Sequence, residues 1–487
     1  MFLKSRVHLY NLTKILSNSM LLSISVLVYA VVMILIGVYA ARKVKNSEDY
    51  VLAGRSLPFY MALSTVFATW FGSESILGAG SKFAEGGFSN VLEDPFGAGL
   101  CLIIAGIFFN RKLYRLKFLT IGDYFKSRYN TIIALFLSSV IVVSYFGWVA
   151  AQFLALGVVL HTVIPTLSIT SWVVVSAVVV AAYTVLGGMI SVALHDTVQS
   201  AIIIVGLIAI LVSVLPLVGG VSGFMDIIPE GHLDIFPDSD SMLAWIIFFT
   251  ALMTQGFGSI PQQDIYQRAM SARSEKESMW ASIIGGLLYF TIVMIPIAIA
   301  TIAGHLYPQI LSSNSQLLIP TLINEHTSSL LQVVFFGALI SAILSTASGA
   351  LLAPATLLAE NIVKPFFNEI SDKLRMMVIQ VAVVVVAFGG VLLAYNPDAH
   401  IYELVAGAYS VTLVAAFAPL AFGLYSRRVN SFGALVSIIL GVSSWLIAQE
   451  IETEIPSTFI GFMFSCVGIV VGSYVGRYIE KEEKIIT

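Results

Sequence analysis

The sequence predicts an all-α polytopic membrane protein of about thirteen transmembrane helices. Of its 487 residues, 58% are apolar and only 11% are charged. Mean hydropathy is +0.93. Apolar runs of about 20 residues, the length a helix needs to cross the hydrocarbon core, recur from end to end. Soluble globular domains mix polar and apolar residues far more evenly. The only cysteines, Cys101 and Cys466, both lie inside apolar runs, so neither a disulfide framework nor a zinc site is indicated.

The runs fall at 21–41, 58–82, 91–110, 131–160, 169–186, 190–216, 241–262, 279–303, 329–358, 376–395, 401–425, 432–449 and 457–475. Several exceed a perpendicular crossing, which implies tilt or kinks. They divide the chain into an N-terminal segment at 1–20, an extra first helix at 21–42, two five-helix units at 58–216 and 241–425, two further helices at 432–475 and a tail at 476–487. The longest polar stretch, 217–240, is a loop, and no soluble domain remains.

Orientation follows from Lys and Arg, which stay on the cytoplasmic side. If the first run begins outside, every Lys and Arg except Lys4, Arg6, Lys14 and Lys82 falls inside. The 217–240 loop carries Asp226, Glu230, Asp234, Asp238 and Asp240 with no basic residue. The N-terminus is therefore expected outside and the C-terminus in the cytoplasm of an integral plasma-membrane protein. Lys4, Arg6 and Lys14 fit this least, and no signal-peptide apolar core accompanies them, so Met20 is expected to be the natural start.

Two runs are interrupted by polar and Gly or Pro residues at mid-depth: Thr69-Trp70-Phe71-Gly72-Ser73-Glu74-Ser75 and Thr254-Gln255-Gly256-Phe257-Gly258-Ser259-Ile260-Pro261-Gln262-Gln263. Gly weakens helix interiors and Pro removes a backbone donor. Unwound backbone at that depth is tolerated only where protein buries it or a cavity wets it. The breaks lie five runs apart, the pattern of an inverted repeat that builds a midplane binding site. The alternative is close helix packing at small residues, which does not require Glu74, Gln255 and Gln262 at one depth.

The ninth run carries Ser341, Ser345, Thr346 and Ser348 on an apolar helix. Neutral oxygens suit a hard monovalent cation. Membrane hydroxyls also bond back to the preceding turn, so both readings stand on this motif alone.

Five blocks together resemble the sodium:solute symporter family: Ala68-Thr69-Trp70-Phe71-Gly72 to Gly78, Thr120-Ile121-Gly122-Asp123-Tyr124-Phe125 with Arg128, Gly187-Gly188 to Asp196-Thr197-Val198-Gln199, Ala342 to Ser348, and Ala359-Glu360-Asn361-Ile362. They span about 58–425 in family order. The resemblance implies a leucine-transporter-type fold of two inverted five-helix repeats with two broken helices. It also implies a sodium ion, Na+, held by backbone oxygens of Ala68, Phe71 and Ala342 and the hydroxyls of Ser345 and Thr346. Some members hold a second sodium, for which Asp196 and Ser348 match, while Gly349 stands where some carry another Ser. One or two ions, or proton coupling, stay open. Asp196 has a second reading as a solvated acid near a helix end.

Within that family the pattern resembles the high-affinity choline transporter branch, through Ala68-Thr69-Trp70, Trp148 before Gly157, Ile260-Pro261-Gln262-Gln263 and Gln267-Arg268. Aromatic faces attract ammonium groups, so Trp70 and Trp148 are candidate cage walls. Gln262 replaces another cage aromatic and Ala98 a Tyr, leaving the choline cage incomplete. Leu92-Glu93-Asp94-Pro95 opens the third run with two acids near Glu74, either facing a solute or forming a solvated helix start.

The expectation is sodium-coupled uptake of a small organic solute by alternating access, at a site of Trp70, Glu74, Glu93, Asp94, Trp148, Gln255 and Gln262. Its partners are a small-molecule solute, sodium and the bilayer, with no nucleic acid and no catalytic residues; oligomeric state is open. Rivals are a proton-coupled or substrate-sensing relative, or a carrier of a non-cationic solute. No His-Glu-x-x-His or Gly-x-Ser-x-Gly motif supports an enzyme.

Overall fold

The computed structural model describes residues 24–486 except 26, 30, 238–239, 368–370, 396–400 and 452, with side chains to residue 479. Met20 and the expected start lie outside these residues. Apart from one isolated bridge between Leu57 and Ala272, the regular structure among the described residues is helical.

The helices are numbered by crossing. α1 is Leu27–Ala41, and α2 splits into α2a, Phe59–Trp70, and α2b, Ala79–Gly86. Next come α3, Phe88–Leu116, and α4, Thr131–Val163. α5 and α6 share Ile169–Val218, and α7 splits into α7a, Met242–Gly258, and α7b, Gln263–Ser271. α8 is Glu275–Leu306, α9 Ser329–Phe366, α10 Asp372–Ala394, α11 Ile401–Tyr425, α12 Ser431–Glu450 and α13 Ser457–Ile479. Among the described residues, each of the thirteen apolar runs contains helix.

Gly188 separates α5 from α6, with φ 51° and ψ −147° inside an otherwise helical rod. A Cβ at that position would lie 2.4 Å from the Tyr50 carbonyl oxygen, so a side chain is excluded by both conformation and space. α1 is tied to this region by Tyr29, which accepts from Ser341 on α9 at 2.7 Å and from Gln199 on α6 at 2.7 Å.

Both interruptions are true breaks. α2a ends at Phe71, whose ψ of 68° leaves the helical region. A Cβ on Gly72 would come within 2.6 Å of Thr346 Oγ1 and 2.8 Å of Glu74 Oε2, so this residue lets α2 approach α9. α7 bends by 51° between its halves, where Pro261 lacks a donor and Gln262 is extended at φ −75° and ψ 146°. The Gly-rich segments therefore serve close packing and unwinding together.

Contacts between distant segments gather several of the basic residues at one end of the bundle. There Arg55 donates to the Phe118 carbonyl at 2.8 Å, Arg115 pairs with Glu275, and Arg128 donates to the carbonyls of Gly423, Ser426 and Val429 at 2.8 Å each. At the opposite end, the Phe88 amide meets the His232 carbonyl at 2.8 Å and Ser315 donates to Glu85 at 2.6 Å. Arg268, grouped with the surface anchors by sequence, departs from this pattern. It is 2% exposed inside the bundle, because α7b folds inward beneath the second break.

Candidate functional site

α9 is the most buried of the unbroken crossings and packs against α2a, α4, α6 and α7b. On its face toward α2a, the hydroxyls of Ser345 and Thr346 reach the Ala68 carbonyl oxygen at 3.4 and 3.3 Å. Ser345 also donates to Asp196 Oδ1, while Asp196 Oδ2 is buried with no protein partner. Asp196 is fully buried, which overturns its reading as a solvated helix-end acid. Its position is enforced by α6 crossing α9 rather than ending at the surface.

Phe71 lies at the break with its carbonyl outside helical geometry. Ala342 is buried one turn before Thr346, where its carbonyl belongs to the α9 ladder and retains a lone pair. Ser348 instead donates to the Ser345 carbonyl at 2.9 Å, the back-bonded arrangement, and Ser341 is engaged by α1. The hydroxyl row thus divides: two members face the first break, one bonds back to its own helix and one bonds α1.

Beside this cluster, Arg268 donates from Nε to Thr69 and from Nη1 to the Asp264 carbonyl at 3.2 Å, leaving Nη2 buried without a partner. A Cβ on Gly349 would lie 2.0 Å from Nη2. Glycine at 349 therefore leaves the space that the guanidinium fills. Asp264 in turn accepts from Trp70 Nε1 at 2.8 Å and from the Tyr145 hydroxyl, fixing Trp70 at the break.

Above the break, Glu74 accepts from Trp148 Nε1 at 3.0 Å, from Gln152 Nε2 at 2.9 Å and from Ser73 at 3.3 Å. Asp94 Oδ1 lies 2.7 Å from the Tyr289 hydroxyl, and the residue is 3% exposed. Glu93 Oε2 is buried too, so the solvated-start reading of these acids is replaced by a buried one. Glu74, Glu93, Asp94 and Gln255 line one small chamber closed by Tyr402 and Tyr409. The Tyr409 ring stands 6.3 Å from both Trp70 and Trp148. Both polar atoms of the Gln262 amide are buried and unpaired. The structure thus brings together Trp70, Trp148, Glu74, Glu93, Asp94 and Gln255, with Gln262 buried at the second break.

Tyr402 also lines a vestibule of about 510 Å³ bounded by Gly78, Ser81, Lys82, Glu85 and the 311–316 segment. The Arg-rich end is closed by polar contacts: Thr120 and Asp123 bond Asn361 at 2.7 and 3.0 Å, the Ile121 amide bonds Gln263 at 2.9 Å, and Glu360 pairs with Lys364 and Arg375. Asp264, Tyr145, Gln152, Tyr289 and Tyr409 escaped sequence reasoning. Asp264 lies in a polar run that reads as loop, and lone tyrosines on apolar helices carry no spacing signal.

One end closed by polar contacts, a vestibule at the other and two broken helices meeting between them suit a secondary active transporter. Residues 50–441 match the family model described as the sodium:solute symporter family; the chain belongs to this family, whose members are transporters rather than enzymes. It is a sodium-coupled symporter of a small solute. The chain is 29% identical over 496 residues to the sodium/proline symporter of Escherichia coli (strain K12), covering 95% of this chain and 94% of that one. It is 25% identical over 470 residues to the high-affinity choline transporter 1 of Caenorhabditis elegans, covering 90% and 79%. A solved Na+-coupled sialic acid symporter superposes with a TM-score of 0.78 at 21% identity, covering 93% of this chain and 98% of that one. Mhp1, a nucleobase-cation-symport-1 family transporter, gives a TM-score of 0.62 at 12% identity, covering 89% and 96%. These likenesses establish the leucine-transporter-type fold.

Proposed function

We propose that the transported sodium ion binds between Ala68 and Phe71 at the first break and Ala342, Ser345 and Thr346 on α9, and that the solute is a small organic cation or zwitterion. One observation carries the sodium site. Two oxygens at right angles around an ion of calcium's size, with about 2.4 Å bonds, lie about 3.4 Å apart. The Ala68 carbonyl lies 3.4 Å from Ser345 Oγ and 3.3 Å from Thr346 Oγ1, beyond the usual O–H···O range of about 2.5–3.0 Å. The spacing suits a shared cation better than direct hydrogen bonds. Asp196, joined to Ser345, stands behind the site, and Ser348, already bonded to the Ser345 carbonyl, favours one ion.

The solute reading is supported by aromatic faces of Trp70, Trp148 and Tyr409 beside the carboxylates of Glu74 and Glu93 and the acid Asp94, an environment that attracts an ammonium group. Gln255 and Gln262 provide neutral hydrogen-bonding groups. Choline and proline, named for relatives, both contain such a nitrogen. The units 58–216 and 241–425 form the two inverted repeats, the Arg-rich end faces the cytoplasm with the C-terminus, and the vestibule faces outside. Sodium holds α2a against α9, solute fills the chamber, and rocking of the bundle opens the inner network. Each ligand raises the other's affinity equally because both stabilise the closed state.

Uptake of radiolabelled choline, glycine betaine and proline into proteoliposomes tests this. A signal for one of them under an inward sodium gradient, absent with potassium, is expected. Uptake confined to a sugar or a carboxylate without nitrogen overturns the solute class.

A further inference from the structure

The chamber beneath Tyr402 contains more short oxygen contacts than its hydroxyl groups can supply with protons. Ser75 Oγ and Tyr289 Oη are 2.5 Å apart, Tyr289 Oη is 2.7 Å from Asp94 Oδ1, and Ser75 Oγ is 3.0 Å from the Trp70 carbonyl oxygen. All three fall within the O–H···O range of about 2.5–3.0 Å. A carbonyl and an ionised carboxylate only accept, while Ser and Tyr bring one proton each. Three contacts therefore share two protons if Asp94 is ionised, and one becomes lone pair against lone pair.

We propose that Asp94 is a proton-binding site of the closed chamber, carrying the third proton at neutral pH. The bonds then run in one direction: Asp94 Oδ1–H donates to Tyr289, Tyr289 to Ser75, and Ser75 to the Trp70 carbonyl. The two remaining approaches, Tyr289 Oη to Trp70 O at 3.1 Å and Ser75 Oγ to Asp94 Oδ2 at 3.3 Å, are the longest and require no proton. A cation among these oxygens fits less well, since 2.5 and 2.7 Å edges are too short for two ligands of one sodium ion.

The surroundings agree. Glu74 from the first break, Glu93 from the same turn, Tyr402 and Tyr409 from α11 and Gln255 from α7a face the chamber, with no Lys or Arg among them. Two further carboxylates repel a third negative charge in low dielectric. The Tyr409 hydroxyl, 1% exposed, is buried there without a partner and is free to meet an incoming group. Asp94 bonds through Tyr289 and Ser75 to the carbonyl at the end of α2a, so the proton also holds the break closed. Opening toward the vestibule hydrates Asp94 and releases it.

The functional meaning of this proton rests on the chamber being the solute site; the protonation itself does not. Infrared spectroscopy of the full chain in nanodiscs at neutral pH, comparing wild type with Asp94→Asn, tests it without solute or sodium gradient. A carboxylic-acid C=O stretching band that shifts in D2O and vanishes in Asp94→Asn is expected. The amide introduced by Asp94→Asn would still donate to Tyr289, so this variant should melt at the wild-type temperature, whereas Tyr289→Phe should melt lower. Glu74→Gln should keep the band. No difference between wild type and Asp94→Asn, or a band lost only in Glu74→Gln, overturns the assignment and leaves the sodium and solute readings untouched.

Discussion

Two single residues give the sharpest tests of the site. Gly349 lies against the Arg268 guanidinium, whose Nη2 is 2.0 Å from where a Cβ would stand. Gly349→Ala should displace Arg268 from Thr69 and cost about 1–3 kcal/mol by overpacking, read as a lower melting temperature. Gly337→Ala on the same helix, with nothing within 4 Å of the new Cβ, should melt unchanged. Trp148 donates to Glu74 at 3.0 Å. Trp148→Phe keeps an aromatic face but removes that donor, and leaving a buried carboxylate bond unmade costs about 1–3 kcal/mol. Solute KM should rise roughly tenfold with sodium dependence retained, as measured in the uptake assay; an unchanged KM contradicts placing Trp148 at the solute.

At the scale of elements, the breaks in α2 and α7 were legible because Gly, Pro and amide side chains interrupt apolar runs that otherwise exceed a crossing. The site residues beyond them were only partly legible. Glu74, Trp70 and Gln262 sit within the breaks and announced themselves, and Ser345 with Thr346 stood out on an apolar helix. Asp264 and Arg268 follow the second break in the polar string Gln262-Gln263-Asp264 and Gln267-Arg268, which reads as a loop until α7b is seen to fold inward. Tyr289 and Tyr409 were silent because a lone Tyr on a membrane helix has many structural reasons to exist. Likewise Ser341 and Ser348 share the spacing of Ser345, and only contacts to Tyr29 and to the preceding turn separate their roles. The short helix Ile121–Arg128 illustrates a motif whose sense is tertiary: its Thr120-Asp123 capping box is continued by Asn361 of α9. Asn361→Ala should loosen this inner closure, and faster amide hydrogen exchange over residues 121–128 would register it. Unchanged exchange there would contradict a role for Asn361 in holding the inner end shut.

At the scale of the whole molecule, one end holds a vestibule of about 510 Å³ and the other a cross-linked polar layer. With the Arg-rich end in the cytoplasm, Ser312→Cys, which lines the vestibule, should react with a membrane-impermeant maleimide added to intact cells. The native Cys101 is fully buried and should stay unlabelled. Reaction of Ser312→Cys only in inside-out vesicles contradicts the orientation. The central claim is that sodium binds where α2a meets α9 and so stabilises the folded transporter. A ligand at a hundred times its dissociation constant adds about 2.7 kcal/mol. The direct measurement is the melting temperature of the purified protein titrated with sodium chloride against potassium chloride at constant ionic strength, for wild type and for Ser345→Ala with Thr346→Ala. A rise specific to sodium in wild type that disappears in the double variant is the predicted result. The same rise in both proteins, or none in wild type, contradicts the site.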